Sequence, residues 1–124
     1  MVTQKLKTHI KKLILIAIAL LVSCSDSHSP YGTWTQKADF GGKTRNSAAG
    51  FSIGGKGYTG TGYDGSYCKD FWEYDPAQNT WTQKADFGGV ARNSAAGFSI
   101  GSKGYIGTGY DGSYYKDFWE YDPV

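Results

Sequence analysis

The chain has 124 residues, of which 40% are hydrophobic, 16% aromatic and 18 in number glycine, and it carries 13 basic against 11 acidic side chains for a formal charge of +2. Four of the basic residues, Lys5, Lys7, Lys11 and Lys12, lie in the first 23 positions, so a chain without that segment keeps 9 basic and 11 acidic groups, net −2. That balance argues against a nucleic-acid partner, which requires a concentrated basic face.

Residues 1–23 read as a signal peptide. The four lysines form a basic n-region, and residues 13–22 (LILIAIALLV) are an unbroken apolar block of ten. Such a block is too short to cross a bilayer core, which takes ~20 apolar residues of helix, but suits an h-region of ~7–15 residues. It shows no helical period, so a buried amphipathic helix is not expected. The run Leu21-Val22-Ser23-Cys24 that closes it resembles the lipobox of bacterial lipoproteins. The resemblance implies cleavage before Cys24, a lipid on that cysteine, a polar linker over residues 24–32, and export to a bacterial outer membrane or cell surface. Each buried CH₂ contributes ~0.8 kcal/mol and one chain alone binds marginally, so the two or three acyl chains of that family give a firm membrane anchor. The second cysteine, Cys68, is then an unpaired thiol. We read it as incidental, because its counterpart in the repeat described next is Tyr115; the alternative is intermolecular pairing.

The ten residues TWTQKADFGG occur at Thr33 and again at Thr80, and the match runs without a gap to the end. Of the 44 positions from Trp34 set against those from Trp81, six differ: Lys43/Val90, Thr44/Ala91, Gly55/Ser102, Thr59/Ile106, Cys68/Tyr115 and Ala77/Val124. A period of 47 residues falls in the range of solenoids, propellers and arrays. Turn residues cut each copy into four short segments rich in β-branched and aromatic residues. Segment a covers residues 47–53 and ends at Gly54-Gly55; segment b covers 57–62 and ends at the hairpin signal Asp64-Gly65. Segment c, residues 70–74, ends at Asp75-Pro76, and segment d, residues 80–84, at Phe87-Gly88-Gly89.

Side chains alternate along a strand, so Trp72 and Tyr74 point to one face of segment c and Phe71 to the other. Both faces then carry apolar surface, as in a sheet sandwiched between similar sheets. Tyr58, Gly60 and Gly62 share a face of segment b, where missing side chains admit a neighbouring backbone.

The order Arg45, AAGFSI, GGKGYTGTGYDG, KDFWEYDP and NTW resembles the kelch repeat over residues 33–124. It departs where the family has an adjacent glycine pair, here Gly60-Thr61-Gly62. The resemblance implies an all-β fold of kelch-type β-propeller blades: two four-stranded antiparallel blades of an incomplete ring. Read in these segments the chain runs d, abc, d, abc, so residues 33–37 form a first d strand without a blade of its own. Propellers hold ~4–8 blades, more than this length supplies. The first expectation is a piece of a longer propeller; the others are a homo-oligomer in which three chains close a six-bladed ring, each donating its first d strand to the neighbour, and an open pair of blades with exposed apolar faces.

In the family the d–a and b–c connections share one mouth of the ring, here residues 39–44 with 86–91 and 63–69 with 110–116. The candidate binding residues on these loops are Tyr63, Asp64, Tyr67 and Lys69 and their repeats Tyr110, Asp111, Tyr114 and Lys116, an aromatic and polar mixture able to stack on and hydrogen-bond a sugar. The competing reading is that Asp64-Gly65 only makes the turn, Lys69 is solvated, and the tyrosines pack blade edges. Asp64 and Asp70 lack the dense acidic spacing of a calcium loop, and Asp70 and Glu73 face opposite ways along segment c, which does not indicate a paired-carboxylate site. Some kelch propellers resemble galactose oxidase or sialic-acid epimerases; the oxidase type needs histidine ligands for copper, and the two histidines here, His9 and His28, both precede the repeats. The expectation is a noncatalytic module without metal or cofactor that binds protein or glycan, the alternatives being part of a propeller enzyme or a structural propeller subunit.

Overall fold

The computed structural model describes Gln4 and residues 31–124. Apart from Gln4, the expected signal peptide (residues 1–23) lies outside the described residues, as do the expected lipidation site Cys24 and most of the expected linker. The chain divides into two compact units, Met1–Gln36 and Lys37–Val124, and both blades belong to the second.

Among the described residues seven strands appear in chain order: β1 (Ala49–Ile53), β2 (Lys56–Gly60), β3 (Phe71–Asp75), β4 (Thr80–Lys84), β5 (Ala96–Ile100), β6 (Lys103–Gly107) and β7 (Phe118–Tyr121). They form two antiparallel meanders, a four-stranded sheet β1-β2-β3-β4 (blade 1) and a three-stranded sheet β5-β6-β7 (blade 2). The expected propeller blades are therefore present, the second with three strands. One expected strand is not: residues 33–37 form no strand, although they repeat the sequence of β4. A β4-type strand exists by pairing with a β3-type strand, and a lone extended segment has nothing to take its backbone hydrogen bonds. Segment b is also shorter than expected. β2 stops at Gly60 because Thr61 and Gly62 turn to positive φ, 58° and 101°, which leaves the β region.

The local chemistry explains the hairpins. β1 and β2 are joined by Gly54 and Gly55, both at positive φ, the conformation of a two-residue type I′ loop. In blade 2 the second of these is Ser102, and there only Gly101 has positive φ, since a side chain disfavours that region. Between β3 and β4 the Asp75 carboxylate accepts from the Ala77 and Gln78 N–H groups at 2.9 and 3.2 Å, an Asx-type turn.

Each blade has two unlike faces, as alternation requires. The front of blade 1 (Ala49, Phe51, Ile53, Tyr58, Phe71, Glu73) packs on the back of blade 2 (Gly97, Gly104, Ile106, Tyr121). Phe71 meets Tyr121 edge-on at 4.9 Å between ring centres, and Tyr58 lies 5.6 Å from the same ring. Gly104 must be glycine: a Cβ there would stand 2.1 Å from the Phe51 ring. Ala49, Ile53, Tyr58, Phe71, Phe87 and Ile106 make the buried core, which lies between the blades rather than within either.

Candidate functional site

The loops that leave the sheets on one side are held by a repeated polar clamp. In blade 1 the Arg45 guanidinium donates to both Asp70 carboxylate oxygens at 2.6 and 2.7 Å, and also to the Thr61 carbonyl at 3.1 Å. Asp70 further accepts from the Trp72 indole N–H at 2.7 Å. These charge-assisted bonds tie the d–a connection to the foot of β3. The guanidinium holds the Asp70 carboxyl below the usual carboxylate range, against the opposing effect of burial. Blade 2 repeats the arrangement with Arg92, Asp117, Thr108 and Trp119.

The clamp was only partly legible in sequence. Arg45 marks the start of the repeat, but the pairing of Arg45 with Asp70 across 25 positions has no local signal. Glu73 is engaged as well: its carboxylate accepts from Lys56 Nζ and from the Tyr58 hydroxyl, both at 2.8 Å, and Lys84 Nζ stands 3.3 Å away.

The candidate residues are brought together in a form the spacing alone did not show. Tyr63 lies edge-on to Tyr67 at 5.3 Å, Tyr67 meets Tyr110 of the other blade at 6.4 Å, and Tyr110 lies 5.0 Å from Tyr114. The four tyrosines thus form one continuous row across both repeats. Short bridges fix the backbone beneath it, Asn46 with Tyr63 with Tyr67, and Asn93 with Tyr110 with Tyr114. Tyr63 and Tyr114 remain 38% and 90% exposed. Partial burial, with Tyr110 and Tyr63 nearby, pushes the Tyr67 hydroxyl up, so that hydroxyl stays protonated and able to donate.

Asp64 and Asp111 do shape their own turns, accepting from the N–H groups of Ser66 and Ser113 at 3.1 and 3.3 Å. Asp111 also takes the Tyr115 hydroxyl at 2.8 Å. Lys69 stands 3.9 Å from Asp86, an exposed pair, and Lys116 is exposed. The turn-making reading therefore describes the aspartates, whereas the tyrosines gather into a surface.

Beside the row is an open depression of about 730 Å³. Its charged lining is balanced, Lys43, Arg45 and Lys69 against Asp64, Asp70 and Asp86, with Trp72 and Tyr67 as its aromatic members. As the family pattern implied, a d–a and a b–c connection border the same space. Two of the six sequence differences, Lys43/Val90 and Cys68/Tyr115, lie in its wall, and the second changes what covers the arginine. In blade 2 the Tyr115 ring covers the Arg92 guanidinium at 4.1 Å; in blade 1 that position is Cys68, too short to do so. Cys68 is buried and free, its Sγ–H directed at the Ser66 carbonyl at 3.5 Å. Burial pushes its thiol up, away from the thiolate form that acts as a nucleophile.

These sheets, their inter-blade core and the Arg–Asp clamps define kelch-type blades of a β-propeller. A family model described as the kelch motif matches residues 57–88. The solved structure of YjhT is similar at a TM-score of 0.58 and 23% identity over 69% of this chain, so the likeness is one of fold. The chain spans 27% of YjhT. No curated protein matches the chain.

Proposed function

We propose that the protein is an exported, lipid-anchored module of the bacterial cell envelope that binds a glycan, without catalysis, on its loop-bearing face. The observation that carries this reading is the row Tyr63–Tyr67–Tyr110–Tyr114 beside the charge-balanced depression. Sugars present apolar C–H faces and a rim of hydroxyls. They suit aromatic side chains with polar tips, flanked by charges already paired, because such a surface offers contact area and hydrogen bonds without a strong field. The noncatalytic part rests on the carboxylates. Asp70, Asp117, Glu73 and Glu120 each hold a cationic side chain, which keeps them ionised and occupied, unlike a general acid or base. The anchored, exported part rests on the leader and on Cys24.

The test is a glycan array probed with the full chain and with the Tyr63→Ala/Tyr110→Ala double variant. Binding by the native chain that the double variant loses, at unchanged circular dichroism, supports the reading. Absence of any sugar signal from the native chain rejects it in favour of a protein ligand or a scaffold. Mass spectrometry of the mature N-terminus reads the anchor separately, as a diacyl or triacyl mass on Cys24.

A further inference from the structure

The surface that blade 2 turns away from blade 1 copies, residue for residue, the surface that blade 1 buries. Phe71 is 2% exposed and its repeat Phe118 is 50%; Ile53 is 7% exposed and Ile100 is 64%. Glu73 is buried and Glu120 exposed, although each bonds the same tyrosine and lysine of its own blade. The same face is therefore a core in one copy and a surface in the other.

The backbone carries the same asymmetry. Four hydrogen bonds join blade 1 and its loops to the segment that opens blade 2: Phe87 N–H to the Lys69 carbonyl at 2.8 Å, Arg92 N–H to the Cys68 carbonyl at 3.1 Å, Gly62 N–H to the Arg92 carbonyl at 2.8 Å, and Ser94 N–H to the Ser47 carbonyl at 2.9 Å. One repeat further on, the Lys116 and Tyr115 carbonyls, the Gly109 N–H and the Ser94 carbonyl have no partner among the described residues. One repeat back, the N–H groups of Phe40, Arg45 and Ser47 and the Arg45 carbonyl have none either. Every open donor at one end of the blade pair thus has its acceptor at the other. Among the described residues β7 likewise pairs only with β6. Its outer edge is the one that β3 closes with β4, and residues 33–37 hold the β4 sequence TWTQK outside any strand, with Trp34 fully exposed.

We propose that the partner of these surfaces is a second copy of this chain, docked head to tail. The front of blade 2 seats on the back of blade 1 of the next copy, and residues 33–37 of that copy add to β7 as its fourth strand. The β3–β4 register then places Lys37 opposite Phe118, Thr35 opposite Glu120 and Trp34 opposite Tyr121, as Lys84, Thr82 and Trp81 stand opposite Phe71, Glu73 and Tyr74. Lys37 reaches Glu120 as Lys84 reaches Glu73. The buried Ile106 is replaced in this contact by Thr59, whose hydroxyl is already bonded to the Ala49 carbonyl at 2.9 Å, so no polar group is left open. A head-to-tail contact generates a ring when its rotation closes. With ~4–8 blades in known propellers and two per chain, the ring holds roughly two to four copies.

Native mass spectrometry of the full chain in detergent tests this directly. The expected result is a discrete complex of two to four copies. Ile100→Glu, on a face exposed in the single chain, reduces it to one copy at unchanged circular dichroism. Mixing Thr35→Cys chains with Glu120→Cys chains yields a disulfide-linked pair that neither variant forms alone. A native chain of one-copy mass overturns the proposal, including the case in which a longer form of the same chain supplies the next blade. So does a complex that Ile100→Glu leaves intact. The glycan reading is tested by other residues, so a monomer that still binds sugar separates the two ideas.

Discussion

The Arg45 guanidinium grips Asp70 through both carboxylate oxygens, 2.6 and 2.7 Å away, with the arginine side chain 6% exposed and the aspartate 26%. Removing one partner of such a pair strands the other charge in a poorly solvated place, which costs more than the pair contributes net. Asp70→Asn is expected to destabilise the chain by roughly 2–4 kcal/mol, below the top of the range for buried pairs because Asp70 is partly solvated. The joint replacement Arg45→Met/Asp70→Leu should cost less than Asp70→Asn alone. Urea unfolding midpoints of the two variants decide it, and a larger loss in the double variant rejects the account.

Glu73 links stability to acidity. The hydrogen bond from Lys56, followed by those from Tyr58 and Lys84, holds its carboxyl down to about 2 against the opposing effect of burial. The folded value lies below the unfolded one, so between them the unfolded chain binds more protons and stability rises with pH. The contribution is complete above the ordinary glutamate range, near 4.5, and is lost as pH falls towards 2. It amounts to at most about 3 kcal/mol. Asp70 is shifted in the same direction by Arg45. Thermal melts of the native chain and Glu73→Gln across pH 2–6 should show a steeper acid decline in the native chain; parallel curves reject the assignment.

Cys68→Tyr tests the origin of the depression. Arg45 lies over one ring, Phe40 at 4.9 Å, where Arg92 has two, Phe87 and Tyr115; if the short cysteine is what withholds the second, the variant reproduces the stack of Tyr115 on Arg92, adding about 0.5–2 kcal/mol of cation–π attraction. The expected outcome is a raised melting temperature together with loss of any glycan bound beside Tyr67. Before denaturation the native Cys68 thiol should react slowly with a disulfide reagent, since it is buried. A destabilised Cys68→Tyr chain would show instead that the blade 1 loops cannot admit the ring.

Much of the fold was legible because it depends on local chemistry written twice. Segment d coincides with β4, and segments a and c lie within two residues of β1 and β3. Gly54-Gly55, Asp75 and the alternation of Phe71 with Trp72 act over a few residues, and the repeat restates the last two while keeping only the first glycine, as Gly101. Residues 33–37 show the limit of such reading. They share every letter with β4 and form no strand, because a strand is a relation between two segments and not a property of one. Thr61 shows another limit. A threonine at positive φ, fully buried, stands where the resemblance led us to look for glycine, and its conformation is held by what surrounds it.

The binding face divides in the same way. The sequence pointed to Tyr63, Tyr67, Tyr110 and Tyr114 as loop residues, but the row exists only because the inter-blade packing carries Tyr67 of one repeat to Tyr110 of the next, 43 positions away. By itself the sequence determined the strands, the turns and the two unlike faces of each blade, since these follow from alternation, glycine placement and side-chain capping over a few residues. Only the tertiary structure decided which copy of each face is buried, which carboxylate meets which arginine, and that the tyrosines form a line. Those depend on contacts between segments far apart in the chain, where two nearly identical sequences meet different neighbours and acquire different environments.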